Sequence, residues 1–209
     1  MGAGKSTVVN IISGRLQPDE GFLELDSNTR LTGISVRAAQ ASGIETVHQH
    51  LALCNKLSAA ENIFLGREPV RFSLGPLRFV DRAKAARLAE AEITGVGGRL
   101  PRFDVPVEKF SGGQRQAIAI ARAVYRANRL IMLDEPTAAL GVKQTAATLE
   151  TIRKVAAKGL AVLMISHNLN DVFEIADRIV SLRLGKVTLD AKKGDVTPSQ
   201  VRQLMAGIE

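Results

Sequence analysis

Apolar residues along the 209-residue chain fall into two kinds of run. Some are short and strand-length: Ile44 to Val47, Leu130 to Leu133, Leu160 to Ile165 and Ile179 to Leu184. Others recur at helical spacing: Val8 to Ser13, Ser58 to Leu65, Asp81 to Ala91, Gly112 to Ala127, Val142 to Ala157 and Asn168 to Ala176. Strand-length runs that alternate with helical segments predict an α/β fold with a largely parallel sheet. Glycines punctuate the pattern. Gly14 and Gly159 stand where the helices before them should stop, and Gly185 turns the chain after the last strand. Gly75-Pro76 marks a turn between two helices. The stretch from about 51 to 127 is richer in helix than its flanks and reads as a helical insertion in an α/β frame. No internal repeat, low-complexity tract or long linker interrupts the chain.

Composition narrows the class. An apolar share of 45% supports a packed core and excludes a disordered chain. The length suits one domain. No segment approaches the ~20 apolar residues needed to span a bilayer, and the N-terminus lacks the features of a signal peptide. Met1-Gly2 followed by Ser6 matches a myristoylation pattern, but the same residues serve a phosphate loop better. Cys54 is the only cysteine, so neither an internal disulfide nor a cysteine zinc site is possible. The three histidines lack metal-ligand spacing. A formal net charge of +7 suits an anionic partner. With no Trp and one Tyr there is little surface to stack bases, so nucleic acid is not the expected partner.

Three segments carry chemistry. The first is Gly2-Ala3-Gly4-Lys5-Ser6-Thr7. Glycines let backbone N–H groups curl around phosphate oxygens, and the adjoining helix presents its positive end. In such a loop Lys5 reaches the β- and γ-phosphates and Ser6 ligates Mg²⁺. The second is Leu130-Ile131-Met132-Leu133-Asp134-Glu135, an apolar strand ending in two acids. Ligands of open α/β folds bind at such strand ends. Asp134 would hold the Mg²⁺ shell and Glu135 would polarise an attacking water. The third is Ser111-Gly112-Gly113-Gln114, where Ser caps a helix and two glycines leave backbone donors accessible. A second phosphate-suited loop in one chain implies a second nucleotide. A dimer answers that need, each nucleotide being held by one subunit's Lys5 loop and the other's Ser111 loop. Taken singly, each segment also has a plain structural reading: a glycine-rich helix start, an acidic turn before Pro136, an ordinary helix cap.

Taken in order, the three resemble the motifs of the ABC transporter ATPases. Ser111 to Gln114 looks like the signature motif of that family, ahead of the strand-ending Asp134-Glu135. Two further residues match in place. Gln49, in Thr46-Val47-His48-Gln49, resembles the glutamine that in the family touches Mg²⁺ or water and signals to the membrane partner. His167, in Ile165-Ser166-His167-Asn168, resembles the switch histidine that contacts the γ-phosphate. The resemblance covers essentially the whole chain. It implies a single ATPase domain over 1–209 with a P-loop NTPase core and a helical subdomain at about 51–127. It implies an ATP-hydrolysing enzyme with catalytic Glu135, His167 and Gln49. Nucleotide would be bound by Gly2, Ala3, Gly4, Lys5, Ser6, Thr7, Ser111, Gly112, Gly113 and Gln114, and Mg²⁺ by Ser6, Gln49 and Asp134. The implied partners are ATP, a second ABC ATPase subunit (a homodimer), an integral-membrane permease and, indirectly, a sugar-binding protein. The implied place is the cytoplasmic face of the plasma membrane.

A narrower resemblance lies in Leu57 to Glu68 and Pro136 to Val142, which look like the monosaccharide-import branch of ribose, xylose or fructose type. Some positions depart from the family. The strand that precedes the phosphate loop in the family is missing, as expected if Met1 is an internal methionine or the gene is truncated. Phe110 replaces a usual Leu, and Gly141 stands where many relatives carry Asp. Two rival readings remain: a soluble ABC ATPase outside transport, and a truncated remnant without activity.

Overall fold

The computed structural model describes residues 3–25, 29–138 and 140–207. Its centre is a parallel sheet of three strands in the order β3 (Ile44–Val47), β6 (Leu130–Asp134), β7 (Ala161–Ile165). Val47 pairs with Leu133, and Asp134 with Ile165. Alternate side chains of β6 point to opposite faces, as the pleat requires. Ile131 and Leu133 join one apolar cluster and Met132 joins the other. Both faces are covered, which explains why these strands read as nearly continuous apolar runs.

One face packs against α5 (Gly112–Arg126) and α6 (Val142–Ala157), and α3 (Ala59–Phe64) and α4 (Arg82–Gly95) pack in turn on α5. Phe64, Ile93, Ile118, Ile120, Leu149 and Ile152 are buried there. The other face meets α1 (Lys5–Ile12) and α2 (Val36–Ala41) through Val9, Ala39, Ile44, Met132 and Ile165. α1 ends at Ser13, and Gly14 takes a φ of 73° that turns the chain away.

Three antiparallel hairpins surround this frame: β1 (Leu23–Leu25) with β2 (Thr29–Leu31), β4 (Val70–Leu74) with β5 (Leu77–Val80), and β8 (Arg178–Arg183) with β9 (Lys186–Lys192). The sequence pattern signalled only β8. The strands at 70–80 flank Gly75-Pro76, so that turn is the tip of a hairpin rather than a plain link between helices. Phe72 stacks on Phe79 across it, with ring centroids 4.4 Å apart. Among the described strands β7 is paired along one edge only, and β8 pairs only with β9. The short helix α7 (Leu169–Ile175) precedes β8, and α8 (Pro198–Ala206) closes the described chain with a Thr197–Gln200 capping box.

Candidate active site

Parallel strands deliver the residues after their C-terminal ends to one edge of the sheet. Asp134 is the last residue of β6, with Glu135 directly after it. His167 lies two residues past β7, and Gln49 two past β3. The strand register therefore brings Gln49, Asp134, Glu135 and His167 to the same end of three neighbouring strands. The Glu135 backbone is anchored there: its N–H donates to the Ile165 carbonyl at 2.9 Å. Its φ is 51°, a left-handed value that a non-glycine residue rarely adopts. The conformation sets the carboxylate facing His167, with Nδ1 of the imidazole 2.7 Å from Oε2. The carboxylate is mostly buried, whereas the imidazole side chain is 71% exposed. A half-buried acid beside an exposed histidine is a geometry suited to activating a water at the surface of the site.

A second layer of polar contacts fixes the two loops that carry this pair. The buried Asp171, in the first turn of α7, accepts from Thr137 Oγ1 at 2.6 Å and from Asn168 Nδ2 at 2.9 Å. Asn168 Oδ1 also accepts from the Asn170 N–H, capping α7. One carboxylate thus ties the turn after Glu135 to the loop after His167. Sequence reasoning missed these three residues. In the sequence Asp171 is one acid near the start of a short helix, and only the crossing of the two loops reveals its reach.

At the other phosphate-suited loop, Gly4 caps α1 with a φ of 95°. A Cβ at that position would stand 3.3 Å from Gly185 Cα, at the turn between β8 and β9, and the Gly185 N–H donates to the Ala3 carbonyl at 3.3 Å. The backbone angle favours glycine, and the close approach adds a tight contact for any larger residue. Ser6 and Thr7 lie exposed and Lys5 half-exposed at the open start of the helix. Gly2, also expected in this loop, lies outside the described residues.

Ser111 and Gln114 cap each other: the Ser111 Oγ accepts from the Gln114 N–H at 3.3 Å, and Gln114 Oε1 accepts from the Ser111 N–H at 2.9 Å. Ser111 and Gly112 are exposed. Gly113 lies against the Gln144 side chain at the start of α6. Among the described residues no hydrogen bond or ion pair joins the Ser111 group to the Lys5 loop or to Glu135. The structure of one subunit keeps it apart from the group that it brings together.

The description "ABC transporter" fits residues 1–138 of the chain. The chain belongs to the ABC transporter family. Similarity extends beyond that segment. Over 209 residues the chain is 42% identical to a fructose import ATP-binding protein of Rhizobium meliloti, covering 99% of this chain and 80% of the relative. It is 40% identical to a xylose/arabinose import ATP-binding protein of Sulfolobus acidocaldarius, covering 98% and 79%. Against a ribose import ATP-binding protein of Rubrobacter xylanophilus it is 36% identical, and there it spans 39% of the relative's length. Among solved structures it is similar to a dimeric post-hydrolysis state of the ATP-binding cassette MJ0796 bound to ADP and Pi. That match has a TM-score of 0.73 and 25% identity, covering 91% of this chain and 81% of the other. The ADP conformation of the cassette MJ1267 shares the fold with a TM-score of 0.75, covering 98% and 80% at 22% identity. This ABC ATPase therefore has the α/β P-loop fold of its family, and it is an ATP-binding, ATP-hydrolysing chain.

Proposed function

We propose that this chain is the motor subunit of an importer that takes up a monosaccharide through a separate membrane permease. The observation that carries the chemistry is the Glu135 carboxylate held 2.7 Å from His167 at the strand ends beside Asp134. The observation that carries the substrate class is similarity to fructose and xylose/arabinose import subunits over nearly the whole chain.

In this reading Lys5 and the backbone amides at the start of α1 hold the phosphates, with Gly4 permitting the close turn. The Ser6 hydroxyl, the Asp134 carboxylate and the Gln49 amide are hard oxygen donors, the chemistry that Mg²⁺ prefers alongside phosphate oxygens and water. When bound, Mg²⁺ supplies charge neutralisation on the phosphates. Glu135 orients the water and accepts its proton as the water oxygen bonds to the γ-phosphorus and the bond to the bridging oxygen of ADP breaks. His167 holds Glu135 and faces the γ-phosphate. The exposed Ser111 to Gln114 loop completes the nucleotide site of a second ATPase subunit. Residues 1–209 form one domain, with a helical subdomain at about 51–127 that faces the permease. No helix of the described residues is long and apolar enough to cross a membrane. Attachment to the cytoplasmic face of the plasma membrane would therefore be peripheral and through the permease, with a sugar-binding protein on the far side.

The test is Mg-ATP binding and hydrolysis by the chain and its Glu135→Gln variant. Loss of the general base should slow turnover by a factor on the order of a hundred or more and leave ATP affinity nearly unchanged. A variant that hydrolyses at the parent rate would remove Glu135 from its role. Sugar uptake by vesicles carrying the permease and this subunit, absent without ATP, tests the substrate class.

A further inference from the structure

α5 begins at Ser111, and about three turns further on it reaches the loop that carries Gln49. Arg122 donates from Nη1 to the Ala52 carbonyl at 2.7 Å and from Nη2 to the Leu51 carbonyl at 2.7 Å. Both prongs of one rigid guanidinium thus close on adjacent carbonyls, a grip that a lysine could not reproduce. Those carbonyls belong to two successive non-glycine residues in the left-handed region, Leu51 at φ 55° and Ala52 at φ 47°. L-residues adopt that region seldom and then singly, so two in a row need an external hold. Within the turn, the Leu51 N–H donates to the His48 carbonyl at 2.8 Å and the Ala52 N–H to the His50 carbonyl at 2.6 Å.

The flanks of the turn are fixed as well. On one side β3 is in register with β6. On the other, the Cys54 N–H donates to Asn62 Oδ1 at 2.8 Å, and Asn62 Nδ2 donates to the Cys54 carbonyl at 3.1 Å. Asn62 is fully buried. Gln49 is exposed on the arc between. Arg122 is itself seated, half-buried near the Glu45 carboxylate of β3. One turn on, Arg126 donates to the Leu65 carbonyl at 2.6 Å, which ties α5 to the end of α3.

We propose that Arg122 is a positioning residue for hydrolysis: it holds the turn that aims Gln49 at the nucleotide, and so makes that aim follow the position of α5. The proposal rests on Gln49 acting at the nucleotide, as in the proposed function. Its consequence is directional. α5 opens with the Ser111 loop, which faces the second subunit's nucleotide. Engagement of that loop therefore moves the same rigid helix whose Arg122 grips the turn after Gln49. No segment between the two has to refold.

The experiment compares Arg122→Met, Arg122→Lys, Gln49→Ala and the double variant Gln49→Ala with Arg122→Met. Hydrogen exchange of the amides at 50–54, which needs no activity, should speed up about tenfold in Arg122→Met while the core helices stay protected. Turnover should fall by about ten- to a hundredfold, with KM for ATP nearly unchanged and a higher Mg²⁺ concentration needed for half-maximal rate. The double variant should be no slower than Gln49→Ala alone, because both lesions act on one group. Ala52→Gly placed on Arg122→Met should restore part of the rate, since glycine takes the left-handed angle freely. If the Met variant does not fold, Arg122→Lys keeps the charge and stem but loses the fork, and should show the same exchange and rate changes in smaller measure. Unchanged exchange at 50–54, or additive rate losses in the double variant, would overturn the proposal. Slow Gln49→Ala beside a full-rate Arg122→Met would sink it alone and leave Gln49's role standing. A full-rate Gln49→Ala would remove that role and the proposal together.

Discussion

Glu135 and Gly14 both occupy the left-handed region of backbone space, for different reasons. At Glu135 the angle of 51° stands at the C-terminal edge of the sheet and is over-determined by neighbours: the bond to the Ile165 carbonyl and the contact with His167. Strained angles of this kind persist where the surrounding structure holds them and the site uses them. At Gly14 the angle of 73° is purely architectural. It ends α1 and brings the chain against the start of α2, where a Cβ would stand 2.5 Å from the Ser35 carbonyl carbon and 2.6 Å from its oxygen. Both obstacles are backbone and cannot swing aside. Gly14→Ala should therefore destabilise the chain by about 2–4 kcal/mol, combining the left-handed penalty with overpacking. Urea unfolding measures it, and a change below about 0.5 kcal/mol would show that the α1–α2 junction yields.

At the scale of elements, β3 and α5 enclose an unusual group. Glu45 lies on the face of β3 under α5, beside a cleft of about 220 Å³ that Arg15, His48, Arg122 and Arg126 also line. Its Oε1 and the Arg126 Nε are buried without a hydrogen-bond partner. Burial raises the Glu45 carboxyl above its ordinary pKa, and Arg126, Arg67, Arg122 and a bond from Gln40 oppose the rise in smaller measure. The folded chain thus binds this proton more tightly than the unfolded chain does. Its contribution to stability is fully present below the unfolded value, near 4.5, and is lost as pH climbs through the folded one. Glu45→Gln cannot ionise and escapes that loss. Relative to the parent, its melting temperature should gain as pH is raised from about 4 to about 8. A difference that stays flat over that range would mean that the arginines cancel the effect of burial, and one that falls would mean that they outweigh it.

For the whole molecule, the separation between the Ser111 loop and the Glu135–His167 pair has a consequence. If each nucleotide is sandwiched by two subunits, a chain that binds ATP without hydrolysing it should accumulate as a dimer. Size-exclusion chromatography of Glu135→Gln in Mg-ATP should then show the dimer, and in Mg-ADP the monomer. Adding Ser111→Arg to that variant should abolish the ATP-dependent dimer. The monomer should lose only about 1 kcal/mol of stability through the lost cap. A dimer that survives Ser111→Arg would place the Ser111 loop outside the interface.

Much of this protein could be read from local pattern. β3 and α6 match the apolar and polar spacing residue for residue, and the helices at 5–12, 59–64 and 112–126 and the strand at 130–134 lie within a few residues of expectation. The motifs proposed to carry the chemistry are contiguous, and their residue types declare themselves through glycine, acid and hydroxyl content. The β1–β2 hairpin escaped because its strands are only three residues each, too short for an alternation to register, and the β4–β5 hairpin because its strands are almost wholly exposed and carry no burial pattern. The contacts of Asp171 with Thr137 and Asn168, and of Arg122 with Leu51 and Ala52, could not be read at all. They join residues of separate elements, and nothing in the spacing of a single helix says which distant carbonyl its arginine will meet. The sequence alone determined the central strands and the longer helices and named the candidate groups, because those depend on neighbours within a turn or a strand. The tertiary structure decided which of those groups share a surface and what holds them there, because that depends on sheet register and on where the packed helices bring their ends.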